Sequence, residues 1–370
     1  MKGQELEERL IYAYWFHGMI KFLGNKKLWE ISKNIGSPEQ IYGCDRKRLD
    51  KILTINQWEA FEKSRQTWDL REKWEELERA KIRFLPFFHK DYPDHLKNIP
   101  DKPWAVYVNG KMPDADRPQI AIVGARQCSE YGRSMAKRIG RLLGENGIPV
   151  ISGMARGIDG IGQREALEAG GESLAVLGNG IDICYPKENR DLYDRLKRQG
   201  GILSEYPPGT QPVARNFPPR NRLISGLCDA LVVVEAKEKS GTFITVDMAL
   251  EQGKEVFALP GRMTDALSRG CNNLIRQGAG ILTSPEDILQ YTGIERKKNK
   301  EHVLLDKTEV LRSKEEKRIY EILDYIPKNL EQIWSEYGMD KISMQFLMKT
   351  LLELCMKGMA TQIGGSYYKL

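Results

Sequence analysis

QIAIVGARQCSEYGRSMAKRIGRLLGENGIPVISGMARGIDG, residues 119–160, sets the fold of this 370-residue chain. A short β-rich run reaches Gly124, a helical segment follows, and a second β-rich run reaches Gly153. The unit then repeats, with SLAVLGN, GILSEYP, ALVVVEA, EVFALPG and GILTS separated by helical segments. Alternation of this kind predicts an α/β fold, a parallel sheet with helices on both faces.

Outward from this core the texture changes twice. Residues 1–81 read as a helical N-terminal domain, with Leu10, Tyr14, Phe16, Leu23, Leu28, Ile31, Leu49, Ile52 and Trp58 at roughly helical spacings. Gly18, Gly24, Gly36 and Pro38 break the pattern into pieces. Residues 82–293 hold the sheet, entered through a proline-rich passage, YPDHLKNIPDKPWAVYVNG, that reads as a tether laid on it. Residues 294–312 read as a charged, solvated linker. Residues 313–370 give three helical stretches and a hairpin turning at Gly364-Gly365, a winged-helix pattern.

Composition removes several classes. Apolar residues at 41% and charged residues at 29% suit a chain that buries real cores, and the net charge of +6 is too small for a polybasic protein. No window approaches 18 apolar residues, so no membrane span is expected. The start, MKGQELEERL, lacks the apolar centre of a signal peptide. Six separated cysteines without CxxC and four scattered histidines without HExxH predict neither disulfides nor a metal. A reduced cytoplasm is the expected home.

In an open parallel sheet, ligands bind beyond the carboxyl ends of the strands, where helix N-termini favour anions. Gly124, Gly153, Gly178 and Gly261 stand at such ends, and Ser240-Gly241 follow VVVEA. The first turn, VGARQCSEYG, puts Arg126 where a dinucleotide fingerprint has its second glycine, and no GxxxxGK[ST] occurs. A phosphodiester held without metal or cofactor fits better. SGMARGIDG adds Ser152, Arg156 and Asp159, the last expected as a helix cap. YPKEN adds Lys187 and Asn189. PVARNFPPRNRLISG gathers Arg215, Arg220 and Arg222 about Phe217, with no acid from Thr210 to Arg222 and prolines expected to hold it extended. Cations beside an aromatic ring suit single-stranded nucleic acid. Residues 117–222 carry a net +5, nearly all of the chain's excess. No histidine lies in these loops, and nothing pairs Glu205 or Asp182 as acid and base, so no enzyme is expected.

These runs, with LGNGIDICYPKEN, VVVEAKEKSGTFITVDMALEQGKEVFALPG and GCNNLIRQGA, resemble the DNA-processing protein A (DprA, or Smf) family from about Lys111 to Leu289. The resemblance implies an extended Rossmann-like domain binding single-stranded DNA, between an N-terminal helical module of SAM or helix-hairpin-helix type and a C-terminal winged helix. It implies protection of incoming DNA in natural transformation, loading of a RecA-type recombinase, and a homodimer. Carried onto this sequence, the DNA-contacting set is Gly124, Ala125, Arg126, Ser152, Gly153, Lys187, Phe217, Arg220, Asn221, Arg222, Ser240, Gly241 and Thr242, to which the residue reading adds Arg156 and Asn189. Two departures stand out: Ala125 where the family often has serine, and Gly162-Gln163 where many members have Ala-His.

The alternative is a nucleotide phosphoribohydrolase of the LOG type, whose PGGxGTxxE signature resembles KSGTFIT here. Thr245 stands where its glutamate belongs, which removes the carboxylate its chemistry needs. The winged-helix segment is neutral from Ser313 to Leu370, so protein contact suits it better than duplex reading.

Overall fold

Seven helices open the chain: α1 (Lys2–Gly18), α2 (Ile20–Leu23), α3 (Asn25–Ile35), α4 (Pro38–Tyr42), α5 (Arg46–Leu49), α6 (Ile55–Thr67) and α7 (Leu70–Arg79). Nine strands follow: β1 (Arg83–Pro86), β2 (Ala105–Gly110), β3 (Ile120–Val123), β4 (Val150–Ser152), β5 (Ser173–Leu177), β6 (Gly201–Ser204), β7 (Ala230–Val233), β8 (Glu255–Ala258) and β9 (Gly280–Ile281). Between and after them run α8 (Glu130–Glu145), α9 (Ile158–Glu168), α10 (Arg190–Gln199), α11 (Phe217–Leu227), α12 (Thr242–Glu251), α13 (Arg269–Arg276) and α14 (Glu286–Thr292). This computed structural model describes residues 2–295, 311, 313–324 and 326–369. They divide into two compact units, Met1–Glu295 and Arg296–Leu370.

Every β-rich run of the sequence is a strand. The sheet order is β1-β2-β6-β5-β4-β3-β7-β8-β9, parallel from β6 through β9. The proline-rich passage is more than a tether, because Ala105–Gly110 forms β2, antiparallel to both β6 and β1. Pro93, Pro100 and Pro103 stop just short of this strand, leaving AVYV free to pair on both sides.

Both sheet faces are covered. On one, Leu223, Ile224 and Leu227 of α11, Val246 of α12 and Leu274 of α13 pack with Val106, Val123, Ile151 and Val176. On the other, the N-terminal helices share a single core with the sheet: Tyr14, Trp15 and Phe16 of α1 cluster with Phe84, Trp104, Tyr107, Leu177 and Ile202. His17 is fully buried there, with Nδ1 3.1 Å from Tyr107 Oη. Helices α8 and α9 touch backbone to backbone, since a Cβ on Gly140 would stand 2.3 Å from the Gly162 carbonyl oxygen. The neighbouring Gln163 is a brace: its Oε1 accepts from Met154 N–H at 3.0 Å, and its Nε2 donates to Leu174 O at 3.1 Å.

The second unit contains α15 (Lys314–Ile322), α16 (Leu330–Tyr337) and α17 (Met344–Met356) with a small sheet of β10 (Lys328–Asn329), β11 (Ala360–Ile363) and β12 (Ser366–Lys369), ordered β10-β12-β11. Its core is built on Ile319, Ile333, Leu347, Leu351 and Leu354. Of the expected linker at 294–312, only Ile294, Glu295 and Leu311 fall within the described residues. Among the described residues no helix is long and apolar enough to cross a membrane.

Candidate functional site

The chain runs outward from β3 to β6, then returns to the other side of β3 for β7 to β9. Connections diverge at that switch point and open a crevice beyond the strand ends. A cleft of about 770 Å³ lies there. It is lined by Gly124–Gln127 after β3, by Ala155, Arg156 and Asp159 after β4, by Tyr185, by Lys237 and Lys239–Thr242 after β7, and by the first turn of α11.

Among the helix N-termini around this region, those of α8 and α12 differ in chemistry. At α8, Ser129 is the N-cap and its Oγ accepts from Gly132 N–H at 3.1 Å. Glu235, at the end of β7 and 1% exposed, accepts from Ser129 N–H at 2.9 Å and from Ser129 Oγ–H at 2.5 Å. A Cβ on Gly132 would stand 2.2 Å from Glu235 Oε2. Burial raises the Glu235 pKa, while the Ser129 bonds oppose that rise. The place where a dinucleotide fold seats pyrophosphate is thus filled by the chain's own carboxylate. At α12, by contrast, the N-cap Gly241 offers no side-chain cap and the first turn has no acid. Ser240 Oγ accepts from Thr242 N–H at 3.2 Å. Lys237 and Lys239 stand exposed just before it, with no ion pair within 4.0 Å among the described residues.

The PPR segment is helical rather than extended. Pro218 and Pro219 occupy the first turn of α11, where the missing N–H costs nothing and the fixed φ suits a helix. Two positions along a helix is roughly 200° around it, so Arg220 and Arg222 face opposite ways. Arg220, 5% exposed, lines the cleft; its Nη1 donates to Gly153 O at 3.0 Å and also to Val176 O, and its Nε has no hydrogen-bond partner among the described residues. Burial pulls its pKa down to about 10; Asp159 opposes this and Arg126 adds to it. Asp159 is not the cap expected of it, since Gly157 precedes α9 and Asp159 is its second residue. Its carboxylate accepts from Gly153 N–H at 3.2 Å, and burial raises its pKa against that bond and Arg220. Arg222, 7% exposed by side chain, donates through Nη2 to Glu205 Oε1 at 2.7 Å and through Nε to Asp101 O at 2.8 Å. It is not among the residues lining the cleft.

Of the sequence-expected residues, Gly124, Ala125, Arg126, Arg156, Phe217, Arg220, Asn221, Ser240, Gly241 and Thr242 come together around the cleft. Ser152, Gly153, Lys187, Asn189 and Arg222 do not line it. Ser152 Oγ donates to Ile122 O at 2.6 Å, and Asn189 Nδ2 to Met154 O at 3.0 Å, so both hold strand-end turns in shape. Lys187 is exposed, and Arg156 forms an ion pair with Glu188. Phe217 is half-buried against Gly178, with the Tyr185 ring 5.5 Å away and tilted by 31°. Sequence reasoning missed Tyr185, the more exposed of the two rings at 41%, together with Lys237 and Lys239. The signals were present in YPKEN and EAKEKSG, beside residues already singled out. Thr245 lines the cleft, 3% exposed, where the hydrolase reading needs a carboxylate.

Fold and cleft define a Rossmann-like α/β protein with a cationic crest at the switch point, its first helix N-terminus already closed. The chain belongs to the DNA recombination-mediator protein A family, whose model matches residues 83–293. It is 43% identical over 198 residues to the DNA processing protein DprA of Streptococcus pneumoniae, covering 54% of this chain and 70% of that protein. The X-ray structure of DprA from Streptococcus pneumoniae superposes with a TM-score of 0.63 at 34% identity, over 76% of this chain and 97% of that one. DNA processing protein A from Helicobacter pylori, whose structure was described for its single-stranded DNA binding mode, gives 0.52 at 28% identity, over 57% of this chain and 95% of that one.

Proposed function

We propose that this protein binds single-stranded DNA in the cleft above β3, β4 and β7, as a DprA/Smf-type protein, by non-covalent contacts alone. The observation that carries the reading is the charge of the cleft: Arg126, Arg156, Arg220, Lys237 and Lys239 against one acid, the buried Asp159. Arg126, Lys237 and Lys239 reach solvent and meet successive phosphates, while the positive end of the α12 dipole, with no acid in its first turn, favours another. Tyr185, backed by Phe217, offers a ring on which a base stacks, and such contacts contribute roughly 1–3 kcal/mol. The Helicobacter pylori relative supports the ligand class.

The wider role we infer is protection of incoming strands in natural transformation and loading of a RecA-type recombinase, by a homodimer in the cytoplasm. In this scheme residues 82–293 form the DNA-binding domain, residues 1–81 the helical module, 294–312 the linker and 313–370 a winged helix suited to protein contact. The test is fluorescence anisotropy with a labelled single strand and its duplex across a salt series. Single-strand preference is expected, with Arg126→Ala lowering the slope of log K against log salt by about 0.7. Equal affinity for duplex, or a folded Arg126→Ala protein with an unaltered slope, would remove the assignment.

A further inference from the structure

Arg222 holds three bonds at once. Its Nη1 donates to Pro219 O at 2.9 Å in the first turn of its own helix, Nη2 to Glu205 at the end of β6, and Nε to the Asp101 carbonyl. Asp101 belongs to a loop gripped from the far side by one face of α3. Asn25 Nδ2 donates to Asp101 Oδ1 at 3.0 Å and to Lys102 O at 2.9 Å, and Asn25 Oδ1 accepts from Trp104 N–H at 2.9 Å. Trp29 Nε1 donates to Lys102 O at 2.9 Å, and Trp104 Nε1 to Ser32 Oγ at 2.7 Å. Asn25, Trp29 and Ser32 are spaced i, i+4, i+7, so a single helical stripe fixes residues 101–104. Tyr92 Oη secures the same loop through Pro103 O at 2.7 Å.

Helix α11 is held at its start on the sheet side, where Arg220 bonds Gly153 O and Val176 O and Tyr206 Oη donates to Asn216 O at 3.2 Å. Two prolines leave its first turn short of N–H donors, and no side chain caps it. Arg222 adds a tie on the opposite side, joining the end of α11 that carries Phe217, Arg220 and Asn221 into the cleft to the loop gripped by α3.

We propose that Arg222 is a positioning residue, through which the N-terminal helices set the placement of α11 and so the geometry of the cleft, by the relay Asn25–Asp101–Arg222–Glu205. The relay rests on the cleft being the DNA site only for its effect on affinity; its mechanical part stands without DNA. A guanidinium so used is a fixed strut, and coupling through it runs both ways.

Native-state hydrogen exchange on the full chain tests this, with Asn25→Ala as the variant, since Asn25 lies far in sequence from α11 and is part-exposed. The amides of Arg220 to Ile224 are expected to exchange about tenfold faster in Asn25→Ala, and single-strand affinity to fall about fivefold. Adding single strand to the wild type should in turn slow exchange of the Trp104 amide. Should Asn25→Ala fold poorly, Asp101→Gly removes the same side-chain link at a residue whose φ of +50° glycine adopts freely. Unchanged exchange at 220–224 in a folded variant overturns the relay. If wild type fails to bind single strand, the functional reading falls, and the exchange at α11 still decides the relay.

Discussion

The N-termini of α8 and α12 occupy equivalent places on either side of the switch point, yet the fold treats them oppositely. Glu235 and Ser129 close the first with a buried carboxylate, while the second has no acid in its first turn, only Ser240 bonded to the N–H groups of Thr242 and Phe243, and stands behind Lys237 and Lys239. The first is where the resemblance to nucleotide-binding sheets would place an anion, and there the protein has satisfied its own donors. What distinguishes the cleft is therefore which polar groups the fold has left over. Arg222 and Glu205 show the same thing within α11 and β6, since a basic residue already bound to a buried carboxylate has nothing to offer a phosphate.

The harshest way to break the comparison is Glu235→Ala. It strips two bonds from the α8 terminus and leaves the part-buried Ser129 N–H without its acceptor, beside a void. The expected loss is about 2–4 kcal/mol of stability, read as a lower urea midpoint with unchanged slope. A folded variant of wild-type stability would show that α8 is not closed by Glu235.

Much of this was legible in the sequence, for identifiable reasons. The seven parallel strands are short apolar runs ending in glycine or a turn, a pattern that survives without knowledge of neighbours. The antiparallel β1 and β2 were hidden because prolines surround AVYVNG and a strand at the sheet margin has no helical crossover to announce it. Pro218 and Pro219 favour an extended chain as readily as a helix start, and only packing against the sheet selects the helix. The burial of Arg220 and Arg222 was illegible because their partners, Val176, Gly153, Glu205 and Asp101, lie at least 17 residues away in the chain. Charge counting located the basic half of the sheet, yet Lys237 and Lys239 fall outside the window counted and belong to the same cleft.

A second test takes a group the fold has fully enclosed. Burial lowers the His17 pKa from 6.5 to about 3. Between those values the unfolded chain binds a proton that the folded one refuses, so stability falls as pH drops from 6.5 toward 3. The slope is at most about 1.4 kcal/mol per pH unit. Urea unfolding of wild type and His17→Gln at pH 7.5 and 5.5 isolates it. Gln keeps a polar partner for Tyr107 and does not titrate, so the variant should gain about 1 kcal/mol relative to wild type at the lower pH. An unchanged difference would mean that His17 is reached by protons in the folded protein, and that the core between α1 and the sheet is not sealed.

The gentlest test addresses the open side. Lys237 and Lys239 are exposed and have no ion pair within 4.0 Å among the described residues, so replacing both by alanine should leave stability within about 0.5 kcal/mol. If they meet phosphates beside the α12 terminus, the salt slope for single strand should fall by about 1.4, since each neutralised phosphate contributes about 0.7. Affinity at moderate salt should drop several-fold, and duplex affinity should change little if the cleft admits one strand. The pair Lys237→Ala/Lys239→Ala thus separates two accounts of the crest. A slope that falls as expected places the strand along the β7 loop and the start of α12. A slope that stays while Arg126→Ala still lowers it would confine the strand to the β3 and β4 turns, and the contrast between the two helix ends would then lie in structure without bearing on DNA.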